Sequence, residues 1–435
     1  MPPRAPEATG VPPATAAPAQ PPPWPPAPPA GKTSEPPSRA LTLATLPVTL
    51  LVQAASSAAL LTPAVAAPRL LPPLGLGSVA IGLYIAVVYL AAMASSLFGA
   101  ALVRRWGPIR SSQAALGVSA LGLLLVAVPH TGVALAGALL IGLGYGPITP
   151  ASSEMLARTT PPQRISLVFS IKQTGVPVGG ALAGLLVPAA LVAGGVPAAL
   201  GLMALLCGAG VLLAIPLRQA LDRQRDPAAP WPSAARMAEP LRFVAGHPVL
   251  RPLAMCTLVF SMVQVSLTSF LVSFLNLDLG WSLVAAGVAL SLSQATGAGG
   301  RILWGLLADC GPDGPRRTLL GLAVAMALTG ATLALVGRDT PTAVVLGLVA
   351  LFGASAVGWN GVYLGTVARL VPHDRTAMAT GGTLFFTFFG VVIGPPLFGL
   401  AGSAFGSHGP AFALLALPLA FAAGTLARAH WPMPR

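Results

Sequence analysis

The chain has 435 residues, of which 55 % are hydrophobic and 8 % charged, and its mean hydropathy is +0.80. A water-soluble domain carries charge on about a quarter of its residues, so the composition excludes one and points to a polytopic membrane protein. The net charge of +13 does not indicate nucleic acid, because the basic residues sit in short clusters between apolar blocks, as cytoplasmic loops do.

In chain order, residues 1–40 are rich in Pro and Ala ("PPATAAPAQPPPWPPAPPAG") and cannot build a packed core. They read as a disordered cytoplasmic tail, not as a signal peptide, which needs a basic flank directly before its apolar run. Apolar blocks long enough for the roughly 20 residues that cross a bilayer then follow. Twelve spans are expected near 41–66, 77–102, 111–129, 132–156, 166–191, 195–217, 252–275, 282–307, 317–336, 342–367, 376–402 and 410–427. Most connections are short, but 218–251 is a charged, Pro-containing linker, and 428–435 is a C-terminal tail. The expected fold is an all-α membrane protein: twelve transmembrane helices in two pseudo-symmetric six-helix bundles, 41–217 and 252–427.

Orientation follows from the placement of Lys and Arg. With both termini inside, twenty of the 24 basic residues fall on the cytoplasmic side, Arg69 and Arg338 fall outside, and Lys172 and Arg301 lie within spans. A cell inner membrane is the expected location. The two halves also echo each other: "ARTTPPQR" (157–164) and "ARLVPHDR" (368–375) share Ala, Arg, Pro and Arg in register, as a duplicated bundle would.

The loop after span eight carries Gly305, Leu307, Ala308 and Asp309 in the pattern G-x-L-A-D-R-x-G-R, with Cys310 in place of the arginine and Gly314, Arg316 and Arg317 arriving late. Its counterpart after span two keeps Leu102, Arg105 and Gly107, has Arg104 at the acidic position, and places its first glycine one residue early at Gly99. "GVPVGGALAG" (175–184) and "GVVIGPPLFG" (390–399) form a second repeated pair. With twelve spans and a central linker, these motifs resemble the major facilitator superfamily of secondary transporters over residues 41–430. The resemblance implies two bundles that rock about a central site. It also implies that Asp309 caps the N-terminus of span five, where an anion gains about 0.3–1 kcal/mol. Arg104 cannot do the same against span eleven. Glu154 ends span four and has two candidate partners: the loop arginine Arg105, as the family pattern implies, or Arg158 one helical turn away. Asp309, Arg105 and Glu154 are thus the candidate gating residues.

Two cations stand apart from the loops. Arg301 is eight residues from Asp309, and Lys172 is eight residues past Arg164, which puts both about 12 Å inside the membrane boundary. An unpaired basic group at that depth costs about 2.5–3.5 kcal/mol or more. No carboxylate lies mid-span, and all five histidines fall in or beside loops. The superfamily resemblance makes spans five and eight neighbours across the seam, so the two cations would share one cavity. Their missing counter-charge then points to an anionic cargo, and a guanidinium fork suits a carboxylate. "GRILWGLLAD" (300–309) also looks like the eighth span of monocarboxylate and oxalate/formate-type porters, through Gly300, Arg301, Gly305, Ala308 and Asp309.

Polar stripes complete the candidate site. Thr257, Ser261, Gln264 and Thr268 share one face of span seven, as Thr49, Gln53 and Ser56 do on span one. Gln294 is seven residues from Arg301, and "GWNG" (358–361) puts Trp359 and Asn360 near mid-membrane. Hydroxyls in spans often serve only as interhelical glue. A buried amide needs several partners, so Gln264, Asn360 and Gln53 are the stronger candidates, with Gln294 and Trp359 beside them.

The favoured reading is an inner-membrane porter, acting as a monomer, that moves a small organic anion with a proton or an exchange counter-substrate. The alternative is an exporter of drugs or hydrophobic compounds. A receptor on the same fold would need a soluble signalling domain. No nucleophile–base pair, metal cluster or phosphate loop supports an enzyme or calls for a cofactor; "GAGGR" (297–301) inside a span is not a P-loop.

Overall fold

The computed structural model describes residues 39–76, 79–231, 233–311, 313–429 and 431. The tail expected over 1–40 therefore lies outside the described residues up to residue 38, as does most of 430–435. Every regular element among the described residues is helical. The first half comprises α1 (Arg39–Leu70), α2 (Val79–Trp106), α3 (Pro108–Val126), α4 (Thr131–Thr159), α5 (Ile165–Gln173) and α6 (Gly175–Leu213). The linker holds α7 (Arg218–Leu221) and α8 (Ala234–Gly246). The second half comprises α9 (Leu250–Ser273), α10 (Leu283–Ala308), α11 (Gly314–Leu333), α12 (Thr342–Ala356), α13 (Asn360–Leu370), α14 (Thr376–Phe405), α15 (His408–Leu414) and α16 (Ala416–Arg428).

Among the described residues, nine helical runs are long and apolar enough to cross a membrane. One of them, Pro162–Leu221, spans 60 residues and contains two crossings. Its helix turns back at Gly194–Gly195, where Gly195 has φ 70° and ψ −163°, a conformation that a residue with a Cβ avoids. With α10 and α11, this gives the twelve spans of the expected fold. Span five is α5 continued into α6, span ten is split into α12 and α13, and span twelve is split into α15 and α16. Several helices run past the limits read from hydropathy, because a helix need not stop where the hydrocarbon does.

Two cores form, the second reaching across the seam to Ile165 and Phe169 of α5. One centres on Val52, Leu116, Ile141, Val187 and Met203, the other on Phe260, Leu271, Phe352, Val362 and Phe412. Span five packs on span one through α6 and α1, and span eleven repeats this on span seven through α14 and α9. The halves meet along α5 with α10 and α13, and along α14 with α2 and α4. Near Lys172 the approach is close. A Cβ on Gly361 would stand 2.2 Å from Ser170 Cα, so α13 and α5 touch backbone to backbone only because that residue is glycine.

The linker is folded onto the end of α2. The Asp226 N–H donates to the Arg104 carbonyl at 2.8 Å, and Arg105 donates to the Ala229 carbonyl while its guanidinium lies 4.5 Å from the Trp231 ring centre. Trp106 meets Trp231 edge to face at 5.5 Å. The buried Asp222 carboxylate accepts from the N–H groups of Ile109 (2.9 Å) and Arg110 (3.2 Å) at the start of α3, where the helix dipole favours an anion. Gly107 makes room for it: its φ is +89°, and a Cβ there would sit 2.3 Å from the carboxylate. At the far end of the linker, His247 Nδ1 accepts from the N–H groups of Val249 and Leu250, both at 3.2 Å, and so caps α9.

Two stability effects follow. Gly107→Ala should cost at least about 1–3 kcal/mol for the backbone strain alone, seen as a lower melting temperature of the purified protein in detergent. Burial holds the His247 imidazole below its ordinary range, so the folded state favours the neutral ring. The unfolded chain takes up the proton first as pH falls below about 6.5, and the stability present above that pH is lost below it. Melting temperature should therefore fall between about pH 7 and 5.5, and His247→Asn, which keeps an acceptor but does not titrate, should flatten that part of the profile.

Candidate functional site

Lys172 closes the last turn of α5 and is 1 % exposed. Its ammonium donates to Gln53 Oε1 on α1 at 2.6 Å and to Gln173 Oε1 at 3.0 Å. Gln53 comes this close because Gly175, at the start of α6, lacks a Cβ; one there would stand 2.9 Å from Gln53 Cβ. Thr149 on α4 also donates to Gln53 Oε1 at 3.4 Å, and Gln53 Nε2 donates to Ser57 at 3.3 Å.

Arg301 on α10 is 2 % exposed. Its Nε donates to the Val357 carbonyl at 3.1 Å, and its Nη1 donates to the Gln173 carbonyl across the seam between the halves. The Val357 carbonyl is available because span ten breaks between α12 and α13. The Ala354 carbonyl, one turn earlier, takes the Trp304 indole N–H instead at 2.7 Å. Lys172 and Arg301 are thus electrostatic neighbours that share Gln173, one using its side chain and the other its backbone. Every acceptor they use is a neutral amide oxygen. Neither cation forms an ion pair among the described residues.

A second cluster stands on the far side of the span-ten break. Gln264 Oε1 on α9 accepts from Trp359 Nε1 at 3.0 Å and from Asn360 Nδ2 at 3.2 Å. Trp359 is fully buried between Phe260 and Tyr363, with ring centres 5.6 Å away in each case. Gln264 and Asn360 are half-buried. Gln294 does not join either cluster: it is exposed on α10, while Arg301 two turns on is buried. The hydroxyl stripes are mostly spent on helix carbonyls. Thr49, Thr257 and Thr268 each bond three residues back, and Ser261 ties α9 to the Thr387 carbonyl of α14 at 2.7 Å. Ser56 is buried, and its hydroxyl makes no hydrogen bond among the described residues.

At the linker end Asp309 Oδ1 accepts from the Ser166 N–H (3.1 Å) and Oδ2 from the Leu167 N–H (3.0 Å), at the N-terminus of α5. Arg369 of α13 pairs with the same carboxylate and also donates to the Pro162 carbonyl at 3.0 Å. Among the described residues, the α2–α14 seam has no such carboxylate. Ser96 donates there to the Gly381 carbonyl at 3.3 Å, while Arg104 turns to Asp226 at 3.8 Å on the open surface, where an ion pair contributes little. Glu154 pairs with Arg158 within α4 and not with Arg105. Of the two candidate partners Glu154 takes Arg158, one turn away, while the folded linker holds Arg105 on Ala229 and Trp231.

Two contributors escaped the sequence reading. Gln173 adjoins Lys172 as a second polar residue in an apolar span, a signal that was present. Arg369 was visible only as one arginine of the "ARLVPHDR" repeat.

A twelve-span helical protein whose two halves close over a buried polar centre has the build of a membrane transporter. The Major Facilitator Superfamily model matches residues 48–395, and the chain belongs to that family. Two uncharacterised MFS-type transporters of Mycobacterium tuberculosis are each 29 % identical over 259 residues, 59 % of this chain. The match spans just over half, 56 %, of the length of these curated relatives. Among solved structures, the E. coli fucose:proton symporter FucP superposes with TM-score 0.66 at 16 % identity, covering 88 % of this chain and 98 % of its own. The human organic anion transporter MFSD10 does so with TM-score 0.70 at 16 % identity, covering 90 % and 100 %. The likenesses to solved structures establish the fold of a multi-pass membrane protein.

Asp309→Asn leaves one acceptor oxygen for the two N–H groups at the start of α5 and removes the ion pair with Arg369. Losing a charge-assisted bond of about 1.5–3 kcal/mol should shift the protein toward a state open at the linker end. Spin labels on the linker ends of α5 and α10 should report a longer distance population by electron–electron resonance.

Proposed function

We propose that this protein is a secondary transporter for a small organic anion, a carboxylate, which binds between Lys172 and Arg301. The observation that carries this reading is the buried pair of cations facing only neutral acceptors. Two like charges in a poorly solvated setting repel each other, and their amide partners supply dipoles but no compensating charge. An arriving carboxylate supplies that charge, and this gain is the reason to bind. A guanidinium fork and an ammonium together donate to both oxygens of one carboxylate. The description of MFSD10 as an organic anion transporter is in keeping with this cargo, as is the likeness of "GRILWGLLAD" to the eighth span of monocarboxylate and oxalate/formate porters.

In this reading the bundles 41–217 and 252–427 rock about the cation pair, with 218–251 joining them. Asp309 with Arg369 is the latch that holds the linker end shut. Arg105, bound to the linker, and Glu154, bound to Arg158, brace its surroundings. Gln53 orients Lys172. The excess of Arg at the linker end supports an inner-membrane protein with both termini cytoplasmic, working as a monomer and coupled to a proton or a counter-substrate.

Screening the purified protein by thermal shift against a carboxylate library should identify members that raise the melting temperature. Arg301→Gln should remove that shift and lower uptake of the same compounds into proteoliposomes by at least about tenfold, while the protein still reaches the membrane. Full uptake by the variant would sink the proposal.

A further inference from the structure

The indole of Trp359 can donate a hydrogen bond but cannot accept one, and that fact fixes the polarity of its neighbours. Trp359 Nε1 donates to Gln264 at 3.0 Å, so the atom it meets must be the amide oxygen. Asn360 reaches the same oxygen at 3.2 Å, so it must do so with its nitrogen. Both amide orientations are therefore set by one buried ring, itself wedged between Phe260 and Tyr363. What remains is a matched pair: the Gln264 NH2, offering two donors, and the Asn360 Oδ1, offering an acceptor. Neither bonds to another group among the described residues, and both side chains are half-buried. The pair follows directly on the span-ten break, whose Val357 carbonyl holds Arg301; Trp359 and Asn360 are the second and third residues beyond it.

From this geometry we infer that Gln264 and Asn360 form a subsite for a hydroxyl group and that the cargo is a hydroxycarboxylate. The inference rests on the anion reading above. A hydroxyl oxygen accepts from one Gln264 Nε2–H while its own hydrogen donates to Asn360 Oδ1, so each amide gains a partner. A ketone in the same place satisfies only Gln264 and leaves Asn360 without a donor. A methylene satisfies neither, and a buried polar group left without its partner costs affinity. Trp359 touches no substrate in this scheme. It is a positioning residue that holds Gln264 in the one orientation that reads a hydroxyl.

The test uses two matched series against the full-length protein: lactate, pyruvate and propionate, and 3-hydroxybutyrate, acetoacetate and butyrate. In at least one series the hydroxy acid should bind tightest, the keto acid next and the plain acid weakest, with at least about tenfold between first and last. Asn360→Ala should bring the hydroxy acid down to the keto acid and leave the plain acid unchanged. Trp359→Phe, which keeps the ring and loses the donor, should flatten the ranking while carboxylates still bind. Arg301→Gln should weaken all members alike. Equal binding of the three members in both series overturns the subsite and leaves the anion reading standing; binding of no member overturns both. A hydroxyl preference that survives Asn360→Ala also overturns the subsite.

Discussion

Two positive charges buried side by side in a membrane protein, leaning on the same glutamine, set the terms for everything around them. Gln173 takes Lys172 with its side chain and Arg301 with its backbone carbonyl, and those two bonds come from opposite halves of the molecule. The charge is shared out over amide dipoles but not cancelled. Leaving a charge in this condition is expensive, and a fold keeps it only where the arrangement serves a purpose. The split in span ten and the glycine at the start of α6 both serve it. One frees a carbonyl for Arg301, and the other lets Gln53 reach Lys172.

The linker-end seam is asymmetric. On the α5–α10 side, a carboxylate, two backbone N–H groups and an arginine form a compact latch. On the α2–α14 side the corresponding position is Arg104, and the linker itself lies over the helix end, held by Arg105, Trp106 and Trp231. The hydrogen bonds that join the halves run from mid-depth, at Arg301, to the linker end, at Asp309 and Arg369. The structure is therefore a state shut on that side, with Arg301 alone of the cation pair bonding across the seam.

Much of this was legible beforehand. Length, hydropathy and charge gave the twelve spans, and helical rise placed Lys172, Arg301 and Asp309 at their depths, because depth in a helix is a matter of counting. The meeting of Asp309 with the start of α5 was legible only through the family motif. Which partners the long side chains take was not legible. Glu154 had two candidate arginines, Arg158 one turn away and Arg105 on another helix, and Arg105 was taken up by a linker conformation that no spacing encodes. Gln294 shares a helical side with Arg301 yet stays exposed, since burial depends on what packs at each level and not on the helix alone.

Taken alone, the sequence determined that this chain lives in a bilayer, crosses it twelve times as two related halves, and carries two cations where no acid can reach them. Those properties are local and additive: they follow from composition, periodicity and rise along single helices. Only the tertiary structure decided that one glutamine ties both cations together, that a tryptophan orients an amide pair on the far side of the span-ten break, and that Arg369 joins Asp309. Each of these contacts joins residues from different helices, and a hydrogen bond depends on distances of a few tenths of an ångström that only packing sets.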